Sequence, residues 1–350
     1  MSLQSSPATA EPRRALVLGA TGAFGSHTVA ALLKHGWRIR ALTRDPETAR
    51  RKTGPAMPIE WIKGDALDKA SVVAAAEGAD LIVHAVNPPA YRNWKATVLP
   101  MVDASIAAAE AVGARLLVPA SVYNFAPNAG ADLDENAPQR PATRKGKIRV
   151  EMEARLRAAS ARGVRVLVVR AGDFFGAGGA SSALDWLVLR SRGRPTALFR
   201  PGPKDIPRAF AYLPDLGETA AALLDRADEL GAFEVFHFRG DVLTPAQLLA
   251  ALRRASGNAR LPAFPFPWPL VRLMGLWNET MRELMEMRYL WRAPITLANG
   301  KLVAFLGEEP HTPLDTALRE ALGELCAAPS APPRARNGTT APPVLSNHAA

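Results

Sequence analysis

The chain of 350 residues is long enough for one large domain or two modest ones, and 48% hydrophobic with 22% charged residues is the balance of an ordinary soluble globular protein. Its single cysteine, Cys326, excludes an internal disulfide and a cysteine metal cluster, and no apolar run reaches the ~18 residues that span a bilayer. The formal net charge of +10 sits in clusters such as Arg50-Arg51-Lys52 and Arg190, Arg192 and Arg194; no aromatics interleave with them, so an anionic cofactor and a solvated basic surface are expected rather than a nucleic-acid partner.

Residues 1–12 are polar, lack the apolar centre of a signal peptide and read as a disordered leader, which makes a cytoplasmic location the expectation. The first strand is Ala15–Leu18. It runs into Gly19-Ala20-Thr21-Gly22-Ala23-Phe24-Gly25, three glycines at spacing G-x-x-G-x-x-G, and an amphipathic helical pattern follows to His35. A strand, a tight glycine turn and a helix form a phosphate site: the helix N-terminus offers free N–H groups and its positive dipole end, and glycines let backbone approach a pyrophosphate. Further strands are predicted at Arg38–Leu42, Ile59–Ile62, Leu81–Val86, Arg115–Pro119 and Arg165–Arg170, with helices over Lys69–Glu77, Trp94–Val112 and Lys147–Ala161 between them. This alternation predicts an α/β fold with a doubly wound parallel sheet over residues 13–176.

After Gly176 the pattern becomes irregular, and residues 177–326 are expected to form a smaller α+β substrate region. Within it Phe233–Phe238 reads as a strand returned to the sheet, and helices are predicted at Asp215–Asp225 and Thr244–Ser256. Thr244, Pro245 and Gln247 spell a capping box. The Met- and Trp-rich stretch Leu270–Trp291 reads as one helix whose large side chains line the core or a pocket rather than a membrane surface. Trp186, Tyr212, Phe174, Phe175, Trp268, Met281, Met285 and Trp291 are candidate pocket walls. Residues 327–350, rich in Ala, Pro and Asn, read as a disordered tail.

The glycine turn resembles that of the extended and atypical short-chain dehydrogenases/reductases, a group that includes the NAD-dependent epimerase/dehydratases and the NmrA-like and isoflavone-reductase-like proteins. Further matching stretches are Leu42-Thr43-Arg44-Asp45-Pro46, Gly64-Asp65-Ala66-Leu67-Asp68, Val83-His84-Ala85-Val86-Asn87, Ala120-Ser121-Val122-Tyr123, Arg170-Ala171-Gly172-Asp173-Phe174-Phe175-Gly176 and Ala211-Tyr212-Leu213-Pro214-Asp215. The resemblance spans about residues 13–323. It implies a Rossmann-like cofactor domain in which Asp65 and Ala66 meet the adenine, Ala85 and Asn87 lie beside the cofactor, and Ala171 and Gly172 leave the sixth strand next to it. Arg44 stands about twenty residues beyond the turn, where a cation meets the 2′-phosphate of NADP and an acid the ribose of NAD. NADP is therefore expected over NAD, although Asp45 puts a carboxylate next door.

The catalytic pattern of that group is Ser or Thr after the fifth strand, then Tyr-x-x-x-Lys on the next helix. Lys147 fits the lysine, which would hold the nicotinamide ribose, but Thr143 stands at the tyrosine place, and a threonine hydroxyl is far less acidic than a phenol. Taking Lys145 as the lysine would put Pro141 there. Tyr123, assisted by Ser121, is the substitute proton donor by position. His84 and His237 lie inside apolar strands and read as core histidines, and no His, Asp and Glu cluster has metal-ligand spacing. The expected activity is NADP-dependent hydride transfer to a small carbonyl, enone or sugar-like substrate. A non-catalytic NmrA-like redox sensor and a nucleotide-sugar epimerase or dehydratase are the alternatives. The expected partner is a small molecule, with no membrane partner; a homodimer is allowed.

Overall fold

The computed structural model describes residues 12–88, 93–176 and 182–327. Apart from residues 12 and 327, the expected disordered leader and tail lie outside the described residues.

Runs of aliphatics buried on both faces make the central strands, the pattern of a parallel sheet covered by helices on either side. Ala15 to Leu18 are fully buried, as are Leu81 to Val83 and Val166 to Val169. The first half runs β1 (Arg14–Leu18), α1 (Ala23–Lys34), β2 (Arg38–Thr43), α2 (Pro46–Thr53), β3 (Ile59–Lys63), α3 (Lys69–Ala75), β4 (Leu81–His84), α4 (Trp94–Val112), β5 (Arg115–Ser121), α5 (Arg144–Ala161) and β6 (Val166–Ala171). The second half runs β7 (Asp173–Phe175), α6 (Ala183–Leu187), β8 (Val188–Ser191), β9 (Arg194–Arg200), β10 (Arg208–Tyr212), α7 (Leu213–Asp225), β11 (Phe233–His237), β12 (Asp241–Leu243), α8 (Pro245–Ala255), β13 (Ala263–Pro265), α9 (Trp268–Met274), α10 (Glu279–Glu286), α11 (Gly300–Leu306) and α12 (Leu314–Ala327).

The main sheet has seven strands in the order β11-β6-β5-β4-β1-β2-β3, all pairs parallel. The strand order reverses between β1 and β4, so the crevice at their carboxyl ends is the switch point where open α/β sheets bind ligands. One face is covered by α1, α7 and α11, the other by α3, α4 and α5. Gly217 of α7 crosses α1 so closely that a Cβ there would stand 2.8 Å from the His27 carbonyl oxygen.

Residues 182–326 share elements with this sheet, including the expected return of a strand at Phe233–His237. Two three-stranded sheets, β12-β10-β7 and β13-β9-β8, gather a separate core with α8 and α12, but α7, β11 and α11 return to the main sheet. The Thr244 capping box forms as the sequence predicts. The expected single helix over Leu270–Trp291 does not: it is broken into α9, α10 and a 3-10 turn at Met287–Trp291. Gly275 ends α9, and the Asn278 side chain accepts the Met281 N–H at 3.2 Å, capping a new helix in a new direction.

At the far end of α1, His35 hydrogen-bonds Asp225 at 2.5 Å and Glu218 at 3.0 Å, tying α1 to the middle and end of α7. Burial works against its charge, but the two carboxylates outweigh burial and raise its pKa above 6.5, while His35 and Lys34 hold Glu218 below the usual carboxylate range. A raised histidine pKa stabilises the fold fully below the unfolded value and loses that contribution as pH rises through the folded value. Urea midpoints are therefore expected to fall as pH rises above 6.5, and His35→Gln should flatten that dependence. An unchanged pH profile in the variant would remove this role.

Candidate functional site

The site is assembled at the switch point from the carboxyl ends of β1, β4, β5 and β6. Gly19, at φ +89°, turns the chain out of β1, and a Cβ on it would stand 2.7 Å from the Ala85 carbonyl oxygen beyond β4. Gly25 lies against the Gly19 carbonyl so closely that no Cβ fits. Gly22 is the N-cap of α1, and no side chain caps the helix there. The N–H groups of its first turn, from Ala23, Phe24 and Gly25, thus face the crevice uncapped, while the Phe24 ring itself is buried in the core. Thr21 is half-buried beside them. A glycine cradle opening onto a bare helix N-terminus fits a pyrophosphate.

Along the β2 and β3 edge, Arg44 is exposed after β2. Asp45 is committed elsewhere: its carboxylate caps α2 by accepting the Thr48 N–H at 3.0 Å, and this hydrogen bonding lowers its pKa. Arg51 also lies on α2, with its guanidinium on the Thr48 hydroxyl at 2.8 Å. Asp65 accepts the Leu67 N–H at 3.0 Å in a turn that includes half-buried Ala66. Asn87, exposed beyond β4, accepts a hydrogen bond from Arg149 of α5 at 3.1 Å. Ala171 is fully buried in β6, and Gly172 is wedged against the Ala209 backbone of β10, which fastens the second sheet to the end of β6.

The helix that carries the lysines starts earlier than the sequence suggests. Thr143 is its N-cap, with its hydroxyl accepting the Gly146 N–H at 3.0 Å. This arrangement leaves Lys147 exposed and buries Lys145. Its ammonium lies 5.9 Å from the centre of the Trp94 ring at the start of α4. Tyr123 leans on the same ring, with centroids 6.5 Å apart. The backbone of Gly146 touches the Tyr123 carbonyl, which fixes the tyrosine loop against the lysine helix. Ser121 ends β5, and its hydroxyl accepts the Tyr123 N–H at 3.5 Å.

Two carboxylates of α10 close over this group. Lys145 pairs with Glu283 and, at 3.0 Å, with Glu286, and Glu286 also accepts the N–H groups of Arg144 and Lys145 at the start of α5. Burial pushes the Glu286 carboxyl up, but Lys145 and Arg144 outweigh it and hold it below the usual carboxylate range. Beneath lies a buried network. Glu153 takes both Arg170 hydrogen bonds at 2.8 Å, Gln139 at 2.7 Å and Asn124 at 2.8 Å; Arg170 also reaches the Ser121 carbonyl at 2.9 Å and the His237 ring at 3.2 Å. His237 gives its other ring nitrogen to the Leu133 carbonyl, and burial with the Arg170 charge lowers its pKa to about 4. His84 bonds Ser105 at 2.8 Å, and complete burial takes it down to about 3. Neither histidine reaches the crevice.

Sequence reading set Lys145 aside because of Pro141 and did not single out Trp94, Glu283, Glu286 or the Arg170–Glu153 pair. Lys145 had a signal: it lies one turn before Ile148 and two before Met152, on the apolar stripe that α5 buries. Of the expected pocket walls, Phe175 and Tyr212 stack at 5.2 Å in the second core, and the Tyr212 hydroxyl donates to Glu320. Trp268 gives its indole N–H to the Pro201 carbonyl, and Trp291 lies under Arg208.

A doubly wound parallel sheet with a glycine cradle at its switch point defines a Rossmann-like dinucleotide-binding protein of the short-chain dehydrogenase/reductase type. Residues 12–287 match the NmrA-like family, and the chain belongs to it. It is 37% identical over 79 residues to an isoflavone reductase homolog, IRL, of Zea mays, and 32% identical over 137 residues to a 3-diazoavenalumate denitrifying reductase of a Streptomyces species. These matches cover 21% and 36% of this chain, and 26% and 43% of the two relatives, less than half of either. Among solved structures it is similar to a UDP-glucose 4-epimerase of Bifidobacterium longum in complex with NAD+ and UDP, with TM-score 0.69, 16% identity, and 89% of this chain and 97% of that one covered. The Bordetella bronchiseptica enzyme WbmH in complex with NAD+ gives TM-score 0.68, 18% identity, and 90% and 98% covered. At these identities the structures speak to the fold.

The glycines separate folding from binding. Gly22→Val should leave the chain folded, because a Cβ at Gly22 has only the Gly19 oxygen at 3.2 Å, yet should abolish dinucleotide binding in calorimetric titration. Gly25→Val should lower the melting temperature instead, since its Cβ has no room. Full nucleotide affinity in folded Gly22→Val would remove the cradle from the site.

Proposed function

We propose that this chain is an NADP-dependent oxidoreductase that reduces a small, partly apolar carbonyl or enone, with Tyr123 as proton donor and Lys145 as the cation beside it. The observation that carries this is the meeting of Tyr123 and Lys145 on the Trp94 ring at the switch point. The pyrophosphate is held by the Gly19–Gly25 turn and the first N–H groups of α1, and the adenine edge by Asp65. Arg44 takes the 2′-phosphate; the commitment of Asp45 to its own helix supports NADP over NAD, because no free carboxylate then competes at that edge. When bound, the nicotinamide supplies the hydride.

The chain's own work is orientation and proton delivery. In this reading Tyr123 gives the proton, and Ser121, whose hydroxyl accepts the Tyr123 N–H at 3.5 Å, shapes the loop that carries it. Lys145, set against the same Trp94 ring as Tyr123, is the cation of this group. In this structure Glu283 and Glu286 match that charge. A dinucleotide-binding sensor without turnover is the second reading, favoured by that same pairing.

Arg44→Ala should weaken NADPH binding by about ten- to a hundredfold, the worth of a charge-assisted contact, and leave NADH nearly unchanged. Titration of both nucleotides checks this, and equal losses would take the selector role from Arg44. For the chemistry, single-turnover oxidation of bound NADPH should slow by about 10²–10⁴ in Tyr123→Phe with nucleotide affinity retained. Lys145→Met should slow it as well, and Lys147→Met should not. A wild-type rate in Tyr123→Phe would mean the proton comes from elsewhere. No NADPH oxidation with any carbonyl or enone would leave the sensor reading in place.

A further inference from the structure

The short helix α9 is apolar on both sides. Trp268 and Val271 face inward and are buried, whereas Leu270, Leu273 and Met274 face outward at 53%, 53% and 38% exposure. Leu276 and Trp277, in the turn to α10, are 71% and 73% exposed. Single exposed apolar side chains are ordinary on protein surfaces, but five large ones within eight residues form a patch that calls for an occupant.

The charges around it are segregated. The acids of α10 are all engaged by other groups: Glu279 accepts the Asn93 N–H, and Glu283 and Glu286 pair with Arg144 and Lys145. The cations stay outside. Arg272 lies on α9 among the exposed leucines, and Arg282 of α10 abuts Gly275 at the corner between the helices. Both are exposed, and neither has an ion pair among the described residues. A leucine and tryptophan surface rimmed by unpaired arginines matches the interfacial zone of an anionic bilayer: the apolar groups enter the acyl boundary, tryptophan sits at the headgroup level and arginines meet lipid phosphates. The net charge of +10 acts in the same direction.

We propose that the α9–α10 corner docks this protein on an anionic lipid surface. No described helix is long and apolar enough to cross a membrane, and surface docking needs none. The docking corner is joined to the site through α10, which carries exposed Arg282 as well as the Glu283 and Glu286 partners of Lys145.

The test uses the full chain with extruded vesicles, either phosphatidylcholine alone or phosphatidylcholine with phosphatidylglycerol, followed by co-sedimentation. The wild type should partition to the anionic vesicles and be released by salt. The double variants Leu276→Ser/Trp277→Ser and Arg272→Glu/Arg282→Glu should each lower partitioning by about tenfold or more, with unchanged melting temperatures because these side chains are exposed. Brominated lipid should quench the wild type more than Trp277→Phe. Absence of binding to either vesicle, or equal binding by the Leu276→Ser/Trp277→Ser variant, would overturn the proposal. So would a wild-type dimer in light scattering that this variant loses while vesicles bind neither form, since the occupant would then be a second copy of the chain.

Discussion

The carboxyl edge of this sheet is held by one buried ion pair. Arg170 and Glu153 are almost wholly excluded from water, and each uses its remaining hydrogen-bonding capacity on a different piece of chain. Removing one partner of such a pair costs about 3–5 kcal/mol, because the other is left charged in a poorly polarisable interior. The pair therefore ties the carboxyl ends of β5, β6 and β11 to the middle of α5. Ser121 is positioned through its carbonyl, the Asn124 side chain is held by Glu153, and α5 is pinned about two turns beyond the lysines.

On this base the two halves of the crevice are built differently. The dinucleotide half is backbone: glycines, a bare helix start and a turn at Asp65. Its form follows from local chain geometry, and side chains outside it change little. The half proposed to react is made of side chains from distant segments, Trp94, Tyr123, Lys145, Glu283 and Glu286, which meet only when the sheet, α4, α5 and the α9–α10 corner are all in place.

That difference decides what could be read from the sequence. Every strand of the main sheet was legible, because apolar runs of four to six residues between helical patterns have few other readings. The Gly19–Gly25 turn and the Thr244 capping box were legible because their chemistry is contained in a few adjacent residues. Lys145 was not, because its direction depends on the phase of α5, and that phase is set by Thr143 capping the helix three residues before the expected start. The break at Gly275 and Asn278 was hidden by the apolar residues around it, which continue a helical pattern through the corner. Arg170 lies in a buried strand where an arginine finds a place only through partners such as Glu153 and His237, residues that sequence spacing does not connect to it.

The main sheet is also completed late. β6 ends at Ala171, but its outer neighbour β11 ends only at His237, after the chain has made β7, β10 and α7. At about 5–20 residues per second, the ribosome delivers β11 several seconds after β6. During that interval the nascent β6 presents an open hydrogen-bonding edge of Val and Leu side chains, the kind of edge that pairs with other chains when left uncovered. The dinucleotide half of this protein is thus not a module that can be cut out at Gly176 and expected to stay monomeric: its last strand is encoded on the far side of the second sheet.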